Sequence, residues 1–139
     1  MSPVPATPGD DTSAEQRTCI LLVEDEVLIR LMLADELRDA GHQVIEASDA
    51  DEALVIMEAT KPDLIISDVR MPGSIDGLGL LAHVRASLPV LPVIITSAHL
   101  DPAHAHSEGA NLFVPKPYLC GVMLDAAEEL LRGNNDDQG

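Results

Sequence analysis

A chain of 139 residues suits a single domain, and its 46% hydrophobic content is too high for a disordered polymer. With one Phe, one Tyr and no Trp, the core must be built from Val, Ile, Leu, Met and Ala. The formal net charge of −16, from 24 acidic and 8 basic residues, argues against nonspecific nucleic-acid binding and against anionic membranes, since both depend on Lys and Arg.

Residues 1–17 open with Pro3, Pro5, Pro8 and Gly9 among small polar residues, and are expected to form a disordered arm. The arm has no apolar stretch of the kind a secretory signal carries. Cys19 and Cys120 show no metal-ligand spacing and no CxxC pairing, so a reducing cytoplasmic location is expected.

The ordered part begins at Cys19-Ile20-Leu21-Leu22-Val23, a continuous apolar run that predicts a strand covered on both faces. Val27 to Ala40 has the helical period Leu28, Leu31, Met32, Leu37 and stops at Gly41. A more polar second strand covers Gln43 to Ala47, and Asp49 or Asp51 caps a second helix that Lys61-Pro62 ends. Leu64-Ile65-Ile66 forms the third strand, running into Ser67-Asp68, and Gly77 to Ser87 the third helix. Val93-Ile94-Ile95 and Leu112-Phe113-Val114 are the fourth and fifth strands. Between them, Asp101-Pro102 is a cap and first-turn pair for a short or irregular fourth helix. The last helix runs Leu119 to Leu131, with Leu119, Val122, Met123, Ala126 and Leu130 on one side. Residues 133–139 are expected to be a disordered tail, leaving 18–132 as the folded domain.

Strands alternating with helices predict an α/β fold with a doubly wound, five-stranded parallel sheet. The polar second strand belongs at an edge, which suggests the flavodoxin-like order 2-1-3-4-5. In such a sheet, function gathers beyond the C-terminal strand ends. The residues delivered there are Glu24, Asp25 and Glu26 from the first strand, Asp68 from the third, Thr96 and Ser97 from the fourth, and Lys116 from the fifth. Clustered carboxylates repel, at about 4 kcal/mol for a pair ~4 Å apart at an effective dielectric of about 20. They therefore hold a proton or a cation, and an all-oxygen site suits magnesium. One carboxylate can then be a nucleophile toward phosphorus, with Lys116 neutralising phosphoryl charge and Ser97 binding an oxygen.

Four runs at successive strand ends carry a family likeness: Ile20 to Glu26 (ILLVEDE), Asp63 to Gly73 (DLIISDVRMPG), Pro92 to Ala98 (PVIITSA) and Val114 to Tyr118 (VPKPY). Together they resemble a response-regulator receiver domain over Thr18 to Leu131, and they imply a stand-alone phosphoacceptor of two-component or phosphorelay signalling. The resemblance makes Asp68 the phosphoacceptor. It has Asp25 bind Mg²⁺ directly, Glu24 mainly through water, and the Arg70 carbonyl as a further ligand. Ser97 is the switch hydroxyl ahead of Thr96, and Phe113 the aromatic switch. Lys116 pairs with phosphoryl oxygen, with a cis bond to Pro117. The implied partners are a histidine kinase or histidine phosphotransfer protein and a downstream protein target, without nucleic acid or membrane. The side chains of Arg70 and His99, two residues beyond Asp68 and Ser97, are candidate modulators of the attacking water.

The chain departs from the common pattern at Ser74, which lengthens the loop after the third strand. It also departs between Ser97 and Gly109, a few residues short, and at Pro115, which removes a backbone donor at a strand end. The competing reading is a Mg-dependent phosphatase or phosphotransferase with an aspartyl nucleophile; such enzymes usually place a second acid where this chain has Arg70. One receiver cut from a longer hybrid kinase or regulator is a further alternative.

Overall fold

The computed structural model describes residues 17–138. Five strands, β1 (Cys19–Val23), β2 (Gln43–Ala47), β3 (Leu64–Asp68), β4 (Val93–Ser97) and β5 (Leu112–Pro115), form one parallel sheet in the order β2-β1-β3-β4-β5. The helices are α1 (Val27–Asp39), α2 (Ala50–Thr60), α3 (Gly77–Ser87), α4 (Pro102–Ser107) and α5 (Cys120–Gln138). This is the flavodoxin-like arrangement expected from the apolar runs. The expected arm lies almost entirely outside the described residues.

Strand side chains alternate between two aliphatic cores. Leu21, Val23, Ile65, Val93 and Ile95 pack with α2, α3 and Ala105 of α4. Ile20, Leu22, Leu64, Ile66 and Ile94 pack with Leu33, Ala34 and Leu37 of α1 and Met123, Ala127 and Leu131 of α5. Each such side chain removed from water contributes about 1.5–3 kcal/mol. Pro115 ends the edge strand β5 opposite Ser97, where a missing donor is tolerated.

Local chemistry sets the helix starts. Asp49 caps α2 by accepting from the Glu52 amide, while Glu52 Oε1 accepts from the Ser48 amide at 2.7 Å in reciprocal fashion. Asp76 caps α3 and Asp101 caps α4, whose six residues bury Ala105 alone. The fourth helix is thus as short as the sequence suggested. Its return to β5 is held by Arg85 of α3, which donates to the carbonyls of Gly109 and Leu91 and to Asn111 Oδ1.

The last helix extends to Gln138. A glycine inside a helix costs only about 1 kcal/mol relative to alanine, so Gly133 does not end turns that are already propagating. The apolar period of α1 marks its buried face only at Leu37. Leu28, Leu31 and Met32 are exposed (75%, 45% and 63%), and the sheet instead covers Leu33, Ala34 and Leu37. Leu119, just before α5, and Val122 in its first turn are likewise exposed.

Candidate functional site

The strand ends bring Glu24, Asp25, Asp68 and Lys116 together. Glu24 and Asp68 are buried (2% and 6% exposed), while Asp25 is more open. Each of the three acids places a carboxylate oxygen within 4.8 Å of the others. Lys116 Nζ donates to Asp68 Oδ2 at 2.6 Å and lies 3.0 Å from Glu24 Oε1. Glu26 is the looser neighbour, at 3.8 Å from the same ammonium.

The backbone fixes these positions. Glu24 is held by its amide to the Ala47 carbonyl, while its own carbonyl accepts from Arg30 and its Oε2 from the Glu26 amide. The Lys116 amide donates to the Ser97 carbonyl at 3.0 Å, tying the fifth-strand tip to the fourth, and the Lys116-Pro117 peptide is cis. Behind Asp68, the Gly77 amide closes the loop by donating to the Val69 carbonyl at 2.8 Å. A Cβ on Gly77 would collide with the Asp68 carbonyl oxygen and stand 2.9 Å from the Val69 Cα. Both are backbone and cannot swing aside. Gly77→Ala is therefore expected to lower stability by about 2–3 kcal/mol, read as an earlier urea midpoint, by displacing the strand end that carries Asp68.

Burial raises the Glu24 carboxyl to about 7, and the Asp68 charge adds to this against the pull of Lys116 and the Glu26 amide. Burial works against the Lys116 ammonium, but hydrogen bonds to Asp68 and Glu24 outweigh it and hold it well above the usual lysine range. A carboxyl whose proton affinity is higher folded than unfolded favours the fold fully below its unfolded value near 4.5 and loses that contribution as pH rises through about 7. Metal-free protein should therefore lose stability across that window, and Glu24→Gln should flatten the loss. By about pH 8 the variant should be ahead by on the order of 1 kcal/mol, measured by denaturant unfolding in chelator.

The remaining expected residues sit as follows. Ser97 is buried at the end of β4, and its hydroxyl accepts from the His99 and Leu100 amides at 3.0 and 3.1 Å. Thr96 is also buried, and its hydroxyl has no hydrogen-bond partner among the described residues. Neither hydroxyl bonds Asp68. Phe113 is half-buried against the α2–α4 side of the sheet, opposite Ile95. The side chains of Arg70 and His99 are exposed.

Tyr118 was not singled out by sequence reasoning, although it directly follows the Lys116-Pro117 pair. Burial, reinforced by the Glu24 charge, raises its phenol to about 12. It lines a cavity of about 370 Å³ with Ile29, Met32, Lys116, Pro117 and Cys120, between α1 and the start of α5.

Comparison with known proteins identifies the family and the fold. The family described as "Response regulator receiver domain" matches residues 20–128. The chain belongs to the response regulator receiver domain family. The crystal structure of the receiver domain of NtrX from Brucella abortus is 38% identical, with a TM-score of 0.76, over 81% of this chain and 98% of that one. Among curated relatives, the DNA-binding transcriptional regulator NtrC of Salmonella typhimurium is 38% identical over 106 residues, 74% of this chain but 22% of its own length. The transcriptional regulatory protein PdtaR of Mycobacterium tuberculosis is 34% identical over 125 residues, 87% of this chain and 60% of its own length. The receiver domain thus spans less than two thirds of the curated relatives it matches.

The donor set fits a divalent cation. Its ligands are carboxylate oxygens, and buried Glu24 Oε1 faces Lys116 without an aligned hydrogen bond. Among the described residues, no helix is long and apolar enough to cross a membrane.

Proposed function

We propose that this receiver domain accepts a phosphoryl group on Asp68 from a phosphohistidine of a histidine kinase or phosphotransfer protein, and thereby changes its binding to a downstream protein. An Asp68 oxygen attacks phosphorus in line, the P–N bond breaks, and its electron pair returns to the imidazole nitrogen. Asp25, Asp68, Glu24 through water and the Arg70 carbonyl would hold Mg²⁺, which supplies neutralisation of phosphoryl charge when bound. Lys116 offers the second cation, already in place beside Asp68. Later attack by water releases inorganic phosphate and restores the carboxylate, with the exposed Arg70 and His99 side chains positioned to set water access.

The observation that carries this reading is the 2.6 Å Lys116–Asp68 contact in a three-carboxylate cluster whose Glu24 and Asp68 are buried. A structural ion pair would need one acid; Lys116 already meets Glu24 and Asp68, and Asp25 beside them leaves charge for a metal. Phosphorylation adds about −1.5 to −2 charge and three acceptor oxygens, which Lys116 and Ser97 would approach as Phe113 turns inward. Inverting a 1:99 population takes about 5.5 kcal/mol of preference for the active packing.

Exposed Met32 of α1 lines the cavity beside Lys116, and with the other exposed apolar residues Leu28 and Leu31 of α1, Leu119 and Val122 it supplies an apolar surface for the phosphodonor protein. The folded unit is taken as residues 18–132, acting in the cytoplasm. The test is incubation with a small phosphodonor and Mg²⁺, followed by intact-mass analysis and peptide mapping. One phosphoryl group on Asp68, abolished by chelator, is expected; modification elsewhere, or none, would overturn the reading.

A further inference from the structure

Ser74, the residue that lengthens the loop between Asp68 and α3, is fastened to another element. Its amide donates to Asp51 Oδ2 at 3.0 Å and its hydroxyl to Asp51 Oδ1 at 2.6 Å, so both oxygens of one carboxylate grip one residue. The preceding Gly73 has φ +112, and a Cβ there would stand 2.7 Å from Asp51 Oδ2. The loop backbone therefore lies directly against the Asp51 carboxylate in the first turn of α2, in a left-handed conformation that favours glycine. That turn is itself fixed by the reciprocal Asp49–Glu52 and Ser48–Glu52 bonds. At the loop base, the Gly77–Val69 bond closes the other end. Residues Arg70 to Gly73 are thus strung between two anchors, one beside Asp68 and one on α2. The paired bonds hold the Asp51 carboxyl below the usual carboxylate range, the Ser74 hydroxyl contributing most, so the grip is made by the charged form.

We propose that Asp51 is a positioning residue for the metal site: by clamping Ser74 it sets where the Arg70 carbonyl lies, and with it the affinity for Mg²⁺. The proposal rests on the reading of the acidic cluster as a Mg²⁺ site. Asp51 touches neither metal nor phosphoryl group and works through the loop alone. Residues that orient a metal's ligands typically contribute on the order of tenfold to affinity.

The test compares wild type, Asp51→Ala, Ser74→Ala and Ser74→Thr, the last keeping the hydroxyl. Tyr118 is the one tyrosine, and there is no tryptophan, so its fluorescence reports the site during Mg²⁺ titration, with calorimetry as a second measure. Hydrogen exchange of the amides of residues 70–76 is followed in metal-free protein, and thermal unfolding checks the fold. Expected are faster loop exchange and on the order of tenfold weaker Mg²⁺ binding in Asp51→Ala, a smaller change in the same direction in Ser74→Ala, near wild-type behaviour in Ser74→Thr, and little change in unfolding temperature. Saturable wild-type binding with an unchanged constant in Asp51→Ala would overturn the clamp alone. Unchanged exchange would do the same. No saturable Mg²⁺ binding by wild type would remove the underlying metal-site reading, and the clamp proposal with it.

Discussion

Asp68→Ala should take up no phosphoryl group under conditions in which the wild-type domain is modified stoichiometrically, while remaining folded. The nucleophile must be a carboxylate within reach of both the metal site and the Lys116 ammonium. Glu24 is compromised as a substitute because its Oε2 is occupied by the Glu26 amide and its proton affinity is raised. Asp25 is more open, and no hydrogen bond or ion pair links it to Lys116 among the described residues. Removing Asp68 also removes one of three mutually repelling acids, so Lys116 can settle on Glu24 and the core beneath is untouched. Intact mass gives the first readout and a urea transition the second. Undiminished uptake by a folded Asp68→Ala would move the chemistry elsewhere.

Lys116→Ala is expected to produce the largest stability loss of any single change at the site, about 3 kcal/mol at about pH 8 without metal, because it strands two buried carboxylates. At 2.6 Å the pairing with Asp68 corresponds to roughly 6 kcal/mol at an effective dielectric of about 20, before desolvation is subtracted. The loss should shrink toward about pH 5, where Glu24, already biased toward its protonated form, can take a proton in place of the missing ammonium. The double variant Asp68→Ala/Lys116→Ala should recover much of the deficit, since a charge that is absent needs no partner. A full loss persisting in the double variant would mean the lysine acts through packing of its stem.

Much of this was legible from sequence because a parallel sheet covered on both faces demands apolar strands, and the polar residues that interrupt those runs mark their tips. Glu24, Asp68, Ser97 and Lys116 each follow directly on such a run or end one. What escaped notice depends on distances between segments far apart in the chain. Nothing near Asp51 indicates that it meets Ser74, and Gly77 looks like any glycine after a capping aspartate until the Asp68 carbonyl is seen against it. The apolar stripes of α1 and α5 are only partly buried, Leu37 and Met123 being covered while Leu28, Met32 and Val122 are exposed. Leu28, Leu31 and Met32 satisfy a helical period whether the stripe meets the sheet or an incoming partner, and periodicity does not distinguish the two.

The turn after β4 links the strand end beside Asp68 to α4. The Ser97 oxygen receives two amides, and its single hydrogen stays free to be given away, so reaching toward an incoming oxygen need not break either bond. His99 and Leu100 would travel with it, and the next residue is Asp101, whose side chain begins α4. With Arg85 bonded to the Gly109 carbonyl at the far end, the six-residue helix would act as a short lever pulled at one end and hinged at the other. A displacement too small to alter the sheet would be spent on tilting that lever.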